Sequence, residues 1–237
     1  MPGIVRGGSN VNDALHRKIR SYVRREGRMT RAQHEALERL GGAYVITEHD
    51  LHDLDQVFRR RAPRVLEIGF GMGDALALMA QAKPQCDYVG IEVHRPGVGS
   101  LLLKLERAAI ANVRIVSSDA VEALQQHLPD DSLDALHLFF PDPWPKKRHH
   151  KRRIVQAPFA ELVRRKLKPG GIFHMATDWE DYARQMLAVM EAAPGYKNAA
   201  GAGEFSPRPV ERPLTKFERR GQHLGHEVWD LVYLRND

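Results

Sequence analysis

The ten residues Arg64-Val-Leu-Glu-Ile-Gly-Phe-Gly-Met-Gly73 restrict the possible folds more than any other stretch. Val65, Leu66 and Ile68 form a short apolar run, and Gly69, Gly71 and Gly73 then end it. This is the pattern of a buried parallel strand entering a tight turn. Glycine lets the backbone bend sharply and leaves no side chain between it and a ligand. Met72 to Gln81 reads as a helix, so the turn opens onto a helix N-terminus with free amide donors. A flat, polar ligand over the turn is the expectation.

Strand and helix then alternate. Further strands are expected at Tyr88 to Val93, Val113 to Ser117, Leu133 to Phe140 and Ile172 to Thr177. Helices are expected at Gly97 to Ala111, Ala120 to His127, Gln156 to Leu167 and Trp179 to Ala192. The turn Lys168-Pro-Gly-Gly171 leads into the strand at Ile172. Such alternation implies an α/β fold with a mostly parallel, doubly wound sheet. Upstream, Gln33 to Leu40 and His49 to Arg61 read as short helices. Ala193 to Pro213, rich in Gly, Ala and Pro, reads as a loop or flap. Phe217 to Arg220 and Glu227 to Leu234 read as a closing C-terminal antiparallel hairpin. Residues 36–237 suit one such domain, and no internal repeat interrupts it.

Residues 1–35 read as a basic, mobile N-terminal arm. Its first 31 residues hold eight Lys or Arg against two acids. Arg17, Lys18, Arg20, Arg24, Arg25 and Arg28 suit a grip on phosphates as well as a solvated tail. A net charge of +6 favours a polyanionic partner. The single cysteine, Cys86, excludes an intramolecular disulfide and a cysteine metal cluster. The chain has neither a membrane-length apolar run nor a signal-peptide core, so a cytoplasmic protein with no membrane partner is expected. A monomer and a homodimer are equally compatible with the sequence.

Ligands of open α/β sheets lie beyond the carboxyl ends of the strands. Four acids fall at or near such ends: Glu67, Glu92, Asp119 and Asp142. One carboxylate can accept from both hydroxyls of a ribose, which suits Glu92 at the second strand end. Asp119 is suited to an adenine amino group, and Glu67 to a cationic ligand tail. S-adenosylmethionine carries an amine, a sulfonium, a ribose and an adenine, and so fits a site with several acids. A dinucleotide pyrophosphate would be repelled by them, and the turn lacks the Gly-x-Gly-x-x-Gly spacing of nicotinamide enzymes.

After the fourth of these strands comes Phe139-Phe-Pro-Asp-Pro-Trp-Pro145. Its three prolines fix backbone angles around Asp142 and Trp144 and remove amide donors, so the loop is stiff. Stiffness suits a carboxylate held for chemistry. The next eight residues, Lys146 to Arg153, carry six Lys or Arg. Beside a catalytic pocket such a block points to nucleic acid, through phosphate neutralisation and counterion release. His149 and His150 are adjacent and lack helical ligand spacing, so no metal is expected.

Several stretches resemble the bacterial tRNA (guanine-N7)-methyltransferases. They are Leu66-Glu-Ile-Gly-Phe-Gly-Met-Gly73, Gly90-Ile-Glu-Val-His-Arg-Pro-Gly97, Phe140-Pro-Asp-Pro-Trp-Pro-Lys-Lys147, Ala176-Thr-Asp-Trp-Glu180 and Thr215-Lys-Phe-Glu-Arg-Arg-Gly221. The likeness covers the chain from about residue 40 onward, and the proline-tryptophan loop and Thr-Lys-Phe-Glu are its most specific parts. It implies a Rossmann-like class I fold that binds S-adenosylmethionine through Glu67, Gly69, Gly71, Gly73, Glu92, Asp119 and Asp142. It also implies a catalytic Asp142, with Lys146, Asp178, Thr215, Lys216, Phe217 and Glu218 around the guanine. The tRNA would lie on Lys147, Arg148, Lys151, Arg152 and Arg153. His150 departs from the asparagine common in the family, and the arm matches the family least. Trp144 is placed either to stack on the base or to brace the loop. Methylation of another RNA base and RNA binding without chemistry are the competing expectations.

Overall fold

The computed structural model describes residues 21, 27–215, 218–219, 225 and 227–237. The arm residues Arg17, Lys18, Arg20, Arg24 and Arg25, and Lys216 and Phe217, lie outside the described residues. The strands are β1 (Val45–Ile46), β2 (Arg64–Ile68), β3 (Asp87–Ile91), β4 (Val113–Val116), β5 (Leu133–Phe139), β6 (Leu167–Thr177), β7 (Tyr196–Asn198) and β8 (Trp229–Arg235). They form one sheet in the order β1-β4-β3-β2-β5-β6-β8-β7. Pairing is parallel from β1 through β6, and β8 runs antiparallel to both β6 and β7. The order reverses between β2 and β5, which creates the crevice where ligands of such sheets bind.

The helices are α1 (Arg31–Tyr44), α2 (Leu54–Phe58), α3 (Asp74–Ala82), α4 (Arg95–Arg107), α5 (Ala120–Gln126), α6 (Ala157–Lys166) and α7 (Glu180–Glu191). All five residues of β2 are buried, as a central parallel strand requires. Leu66 and Ile68 join one apolar cluster with residues of α2, α5, α6 and α7. Val65 joins the other, with Ala36 of α1, Leu76 of α3 and Leu101 of α4. Side chains alternate across a strand, so these two clusters lie on opposite faces of the sheet.

Several elements differ from the sequence expectation. Helix α1 runs Arg31–Tyr44 and so extends beyond the expected Gln33 to Leu40 at both ends, its start set by the reciprocal capping box of Thr30 and Gln33. Gln33 also donates to the carbonyl of Pro96 at 3.1 Å, so the folded domain includes the end of the expected arm. The stretch from His49 to Arg61 divides into a 3-10 turn, Glu48–His52, and α2, because Asp53 accepts from Gln56 N and starts a new helix. Strand β6 starts at Leu167, and Lys168 to Gly171 form an irregularity within it, between the pairs Leu133–Leu167 and Ala135–Ile172. The expected loop Ala193 to Pro213 contains β7, which supplies the antiparallel partner of β8 beyond β6. Glu218 and Arg219 are helical, whereas Phe217 and Arg220 lie outside the described residues. Among the described residues no helix is long and apolar enough to cross a membrane.

Candidate active site

A cavity of about 420 Å³ opens at the carboxyl ends of β2 to β5. The turn after β2 forms one wall through Gly69 and Gly71, both in the left-handed region (φ 70° and 55°). A Cβ on either would meet nothing within 4 Å, so the backbone borders open space. Gly73 has a different task. It caps α3, and a Cβ there would lie 2.8 Å from Leu101 Cβ, so it brings α3 close to α4. Gly97, in the first turn of α4, approaches the same turn so closely that a Cβ would sit 2.1 Å from the Gly71 carbonyl oxygen. Gly97→Ala must therefore displace the turn. The expected result is a loss of about 1–3 kcal/mol in denaturant unfolding and weaker cofactor binding by calorimetry.

The four acids have four different environments. Glu92 follows β3 and is fixed by three amides. Oε2 accepts from Gly71 N at 2.8 Å, and Oε1 accepts from Val93 N at 2.8 Å and His94 N at 3.0 Å. Oε2 takes one of these bonds and keeps capacity for another donor. Asp119 follows β4, and its Oδ1 caps α5 by accepting from Val121 N and Glu122 N while the residue lines the cavity. Asp142 is exposed on the cavity wall beyond β5. Glu67 lies within β2, only 2% exposed and behind the wall, and its Oε2 has no hydrogen-bond partner among the described residues.

Burial, reinforced by the nearby Glu92 carboxylate, pushes the Glu67 carboxyl up to about 8 from 4.5. In the unfolded chain Glu67 loses its proton near pH 4.5, whereas in the folded chain it keeps it to about pH 8. Folding therefore takes up a proton between these values, and stability falls as pH rises through that window. Glu67→Gln removes this dependence. It is expected to raise the melting temperature at pH 8 by about 3 °C or more and to leave that at pH 4 nearly unchanged.

The loop after β5 is held by its neighbours as well as by its prolines. Phe140 (φ 51°) and Trp144 (φ 46°) adopt left-handed backbone that bulky residues rarely hold. Such strain persists where the surroundings impose it and concentrates at functional sites. The Trp144 indole donates to the Ser21 carbonyl at 3.0 Å, and the Arg152 guanidinium lies 4.1 Å from its ring centroid. Both contacts brace the loop. Arg153 is buried and donates to Pro143 O at 2.8 Å, Gln185 Oε1 at 2.6 Å and Asp181 Oδ2 at 2.6 Å. Lys146, Lys147, Arg148 and Lys151 are exposed, the last three on the 3-10 segment Lys147–Arg152. Asp178 follows the end of β6, the next strand after β5 in the sheet.

A family model described as "Putative methyltransferase" matches residues 61–231. A tRNA (guanine-N(7)-)-methyltransferase of Pseudomonas putida strain F1 is 60% identical over 223 residues, covering 94% of this chain and 93% of the relative. The enzyme of the same description from Hydrogenovibrio crunogenus is 54% identical, with 92% of each chain covered. The chain belongs to the tRNA (guanine-N(7)-)-methyltransferase family. Among solved structures, the 16S rRNA methyltransferase KamB superposes with a TM-score of 0.53 at 16% identity, covering 90% of this chain and 97% of that one. At that identity the likeness concerns the Rossmann-like fold alone.

For this member of the tRNA (guanine-N(7)-)-methyltransferase family, the cavity gathers Gly69, Gly71, Glu92, Asp119 and Asp142 from four strand ends. Gly73 and Glu67 lie outside its lining. Arg153, expected on the RNA surface, is instead a buried tie for the proline-tryptophan loop, and Arg152 covers Trp144. Glu218, expected beside the base, is buried with both carboxylate oxygens accepting from Arg212. Sequence reasoning missed Ser118, whose buried hydroxyl lines the cavity without a hydrogen-bond partner among the described residues. Its place directly before Asp119 at a strand end was the available signal. It also missed Arg212, for which no local pattern exists.

Proposed function

We propose that the chain transfers a methyl group from S-adenosylmethionine to N7 of a guanine in the variable loop of tRNA. The observation that carries this reading is the convergence of the glycine turn, Glu92, Asp119 and Asp142 on one cavity, in a chain of this family. The residues present fit the cofactor. Open space stands where Gly69 and Gly71 lack side chains, carboxylates are placed for hydroxyl and amino groups, and Ser118 offers a hydroxyl without a partner among the described residues. When bound, the cofactor supplies an activated methyl on a sulfonium. Glu92 is assigned to the ribose diol and Asp119 to the adenine amino group, whereas Glu67, protonated to about pH 8 behind the turn, is given no charge interaction with the cofactor.

Guanine N7 carries a lone pair and no proton, so no residue has to act as a base before attack. Positive charge develops on the purine as the methyl moves. A fixed carboxylate facing the base stabilises that charge more than it stabilises the neutral substrate. Asp142 is assigned that electrostatic role. Asp178, Lys146 and the Thr215–Glu218 segment are assigned to orienting the base, which aligns donor and acceptor. The exposed Lys147, Arg148 and Lys151 are assigned to tRNA phosphates.

The test is methyl transfer from labelled S-adenosylmethionine to unmodified tRNA transcripts, followed by cleavage specific for N7-methylguanine. One cut in the variable loop, lost when that guanine is replaced, is the expected result. Label at another base would retain the fold and cofactor and overturn the acceptor. Cofactor binding without transfer to any RNA would favour the reading as an RNA-binding protein without chemistry.

A further inference from the structure

Arg212 has one of the largest fully buried side chains of the molecule. Its guanidinium holds two carboxylates at once. Nη1 and Nη2 donate to Glu218 Oε2 and Oε1 at 2.6 and 2.9 Å, and Nε and Nη2 donate to Asp230 Oδ1 and Oδ2 at 2.7 and 2.8 Å. Asp230 lies on β8 opposite Ala176 of β6, two residues before Asp178, and its Oδ1 is also 2.7 Å from His174 Nε2. Glu218 N donates to Thr215 Oγ1 at 3.2 Å, which ties the two described ends of the Thr215–Glu218 segment together. On its remaining side the guanidinium carbon lies 5.7 Å from the Phe140 ring, two residues before Asp142. One side chain thus joins the strand edge beside Asp178, the segment at Thr215 and the loop that carries Asp142.

We propose that Arg212 is a positioning residue for methyl transfer: it assembles the base-binding half of the site, and Glu218 acts through Arg212 instead of touching the guanine. This rests on the functional reading above. The geometry favours it because both Glu218 oxygens are engaged, the carboxylate is buried, and paired bidentate bonds to a guanidinium are the strongest and most directional that a carboxylate makes. A lysine cannot reproduce this fork, since its ammonium is a single point charge. The cofactor cavity is built from other strand ends and does not include Arg212, Glu218 or Asp230 in its lining.

The test is a double-mutant cycle on the full chain with Arg212→Lys, Glu218→Gln and the double variant. Melting temperature, S-adenosylmethionine affinity by calorimetry, and kcat/KM for tRNA at saturating cofactor are read for each. Each single variant is expected to lose about 10- to 100-fold in kcat/KM, the scale set by misplacement of about an ångström, with cofactor affinity changed by less than about threefold. The double variant is expected to fall no more than about threefold below the worse single one, because residues that act as a unit are non-additive. Losses that multiply would mean that Glu218 has its own contact with the base and would overturn the inference. Single variants within about twofold of the parent would overturn it as well, and so would a parallel fall in cofactor affinity and melting temperature, the mark of a merely structural pair. Should the unaltered protein transfer no methyl to tRNA, the functional reading itself fails and the inference falls with it.

Discussion

Asp142→Asn is expected to lower kcat for tRNA methylation by about 10²- to 10³-fold, the cost of removing one preorganised group aimed at developing charge. The substitution is nearly isosteric, and the loop around it does not rely on the carboxylate. Pro141 and Pro143 fix the flanking backbone angles, Arg153 binds the Pro143 carbonyl, and the Trp144 indole is tied to Ser21. The change therefore removes charge while preserving shape. Because the positive charge appears on the purine only as the methyl moves, the effect belongs in kcat more than in the KM for tRNA. Single-turnover transfer with saturating cofactor measures it. Full activity of the asparagine variant would dismiss Asp142 as the electrostatic centre.

Asp87→Ala is expected to destabilise the folded chain by about 3–5 kcal/mol, the range for removing one partner of a buried ion pair. Asp87 is fully buried at the start of β3 and is shared by two cations. Its Oδ1 accepts from Arg60 Nε at 2.9 Å, and its Oδ2 pairs with Arg64, the first residue of β2. Arg64 in turn donates to Asp55 Oδ1 of α2 at 2.8 Å. Without Asp87, the buried Arg64 guanidinium keeps the Arg60 carbonyl at 2.6 Å, the Leu54 carbonyl at 3.4 Å and, as its countercharge, the exposed Asp55 carboxylate. Urea unfolding should show the loss as a lower midpoint with an unchanged slope. The cluster lies at the opposite end of β2 from the cavity, so kcat below the unfolding transition should be unaffected. A midpoint unchanged from the parent would show that the Arg64 charge is compensated elsewhere.

The central features of the fold were legible locally. Short stretches rich in Val, Leu and Ile mark the four- to seven-residue strands β2 to β5, because a central parallel strand buries side chains on both faces. The glycines at 69 and 71 mark the turn because its backbone needs positive φ. Since the chain order of strands and turns maps onto the carboxyl edge of a doubly wound sheet, Glu92, Asp119 and Asp142 could be assigned to one crevice without coordinates. Strands β1 and β7 could not be read in this way. With two and three residues, they are too short for periodicity, and they exist only because β4 and β8 offer an edge to pair with.

Tertiary structure alone decided what each charge does. Six cations between Lys146 and Arg153 look alike in sequence, yet Arg153 is buried against Pro143, Gln185 and Asp181 while Lys147 and Arg148 face solvent. Glu67 and Glu92 look like equivalent acids at neighbouring strand ends. Glu92 is met by three amides, whereas Glu67 is buried with one oxygen that has no partner among the described residues and holds its proton to about pH 8. Arg212 and Asp230 stand apart in the chain and meet only because β8 inserts between β6 and β7. Local sequence determines where the backbone bends and which faces are apolar, because those depend on near neighbours. The state and task of a charge depend on desolvation and on partners from distant segments, and these exist only once the chain is packed.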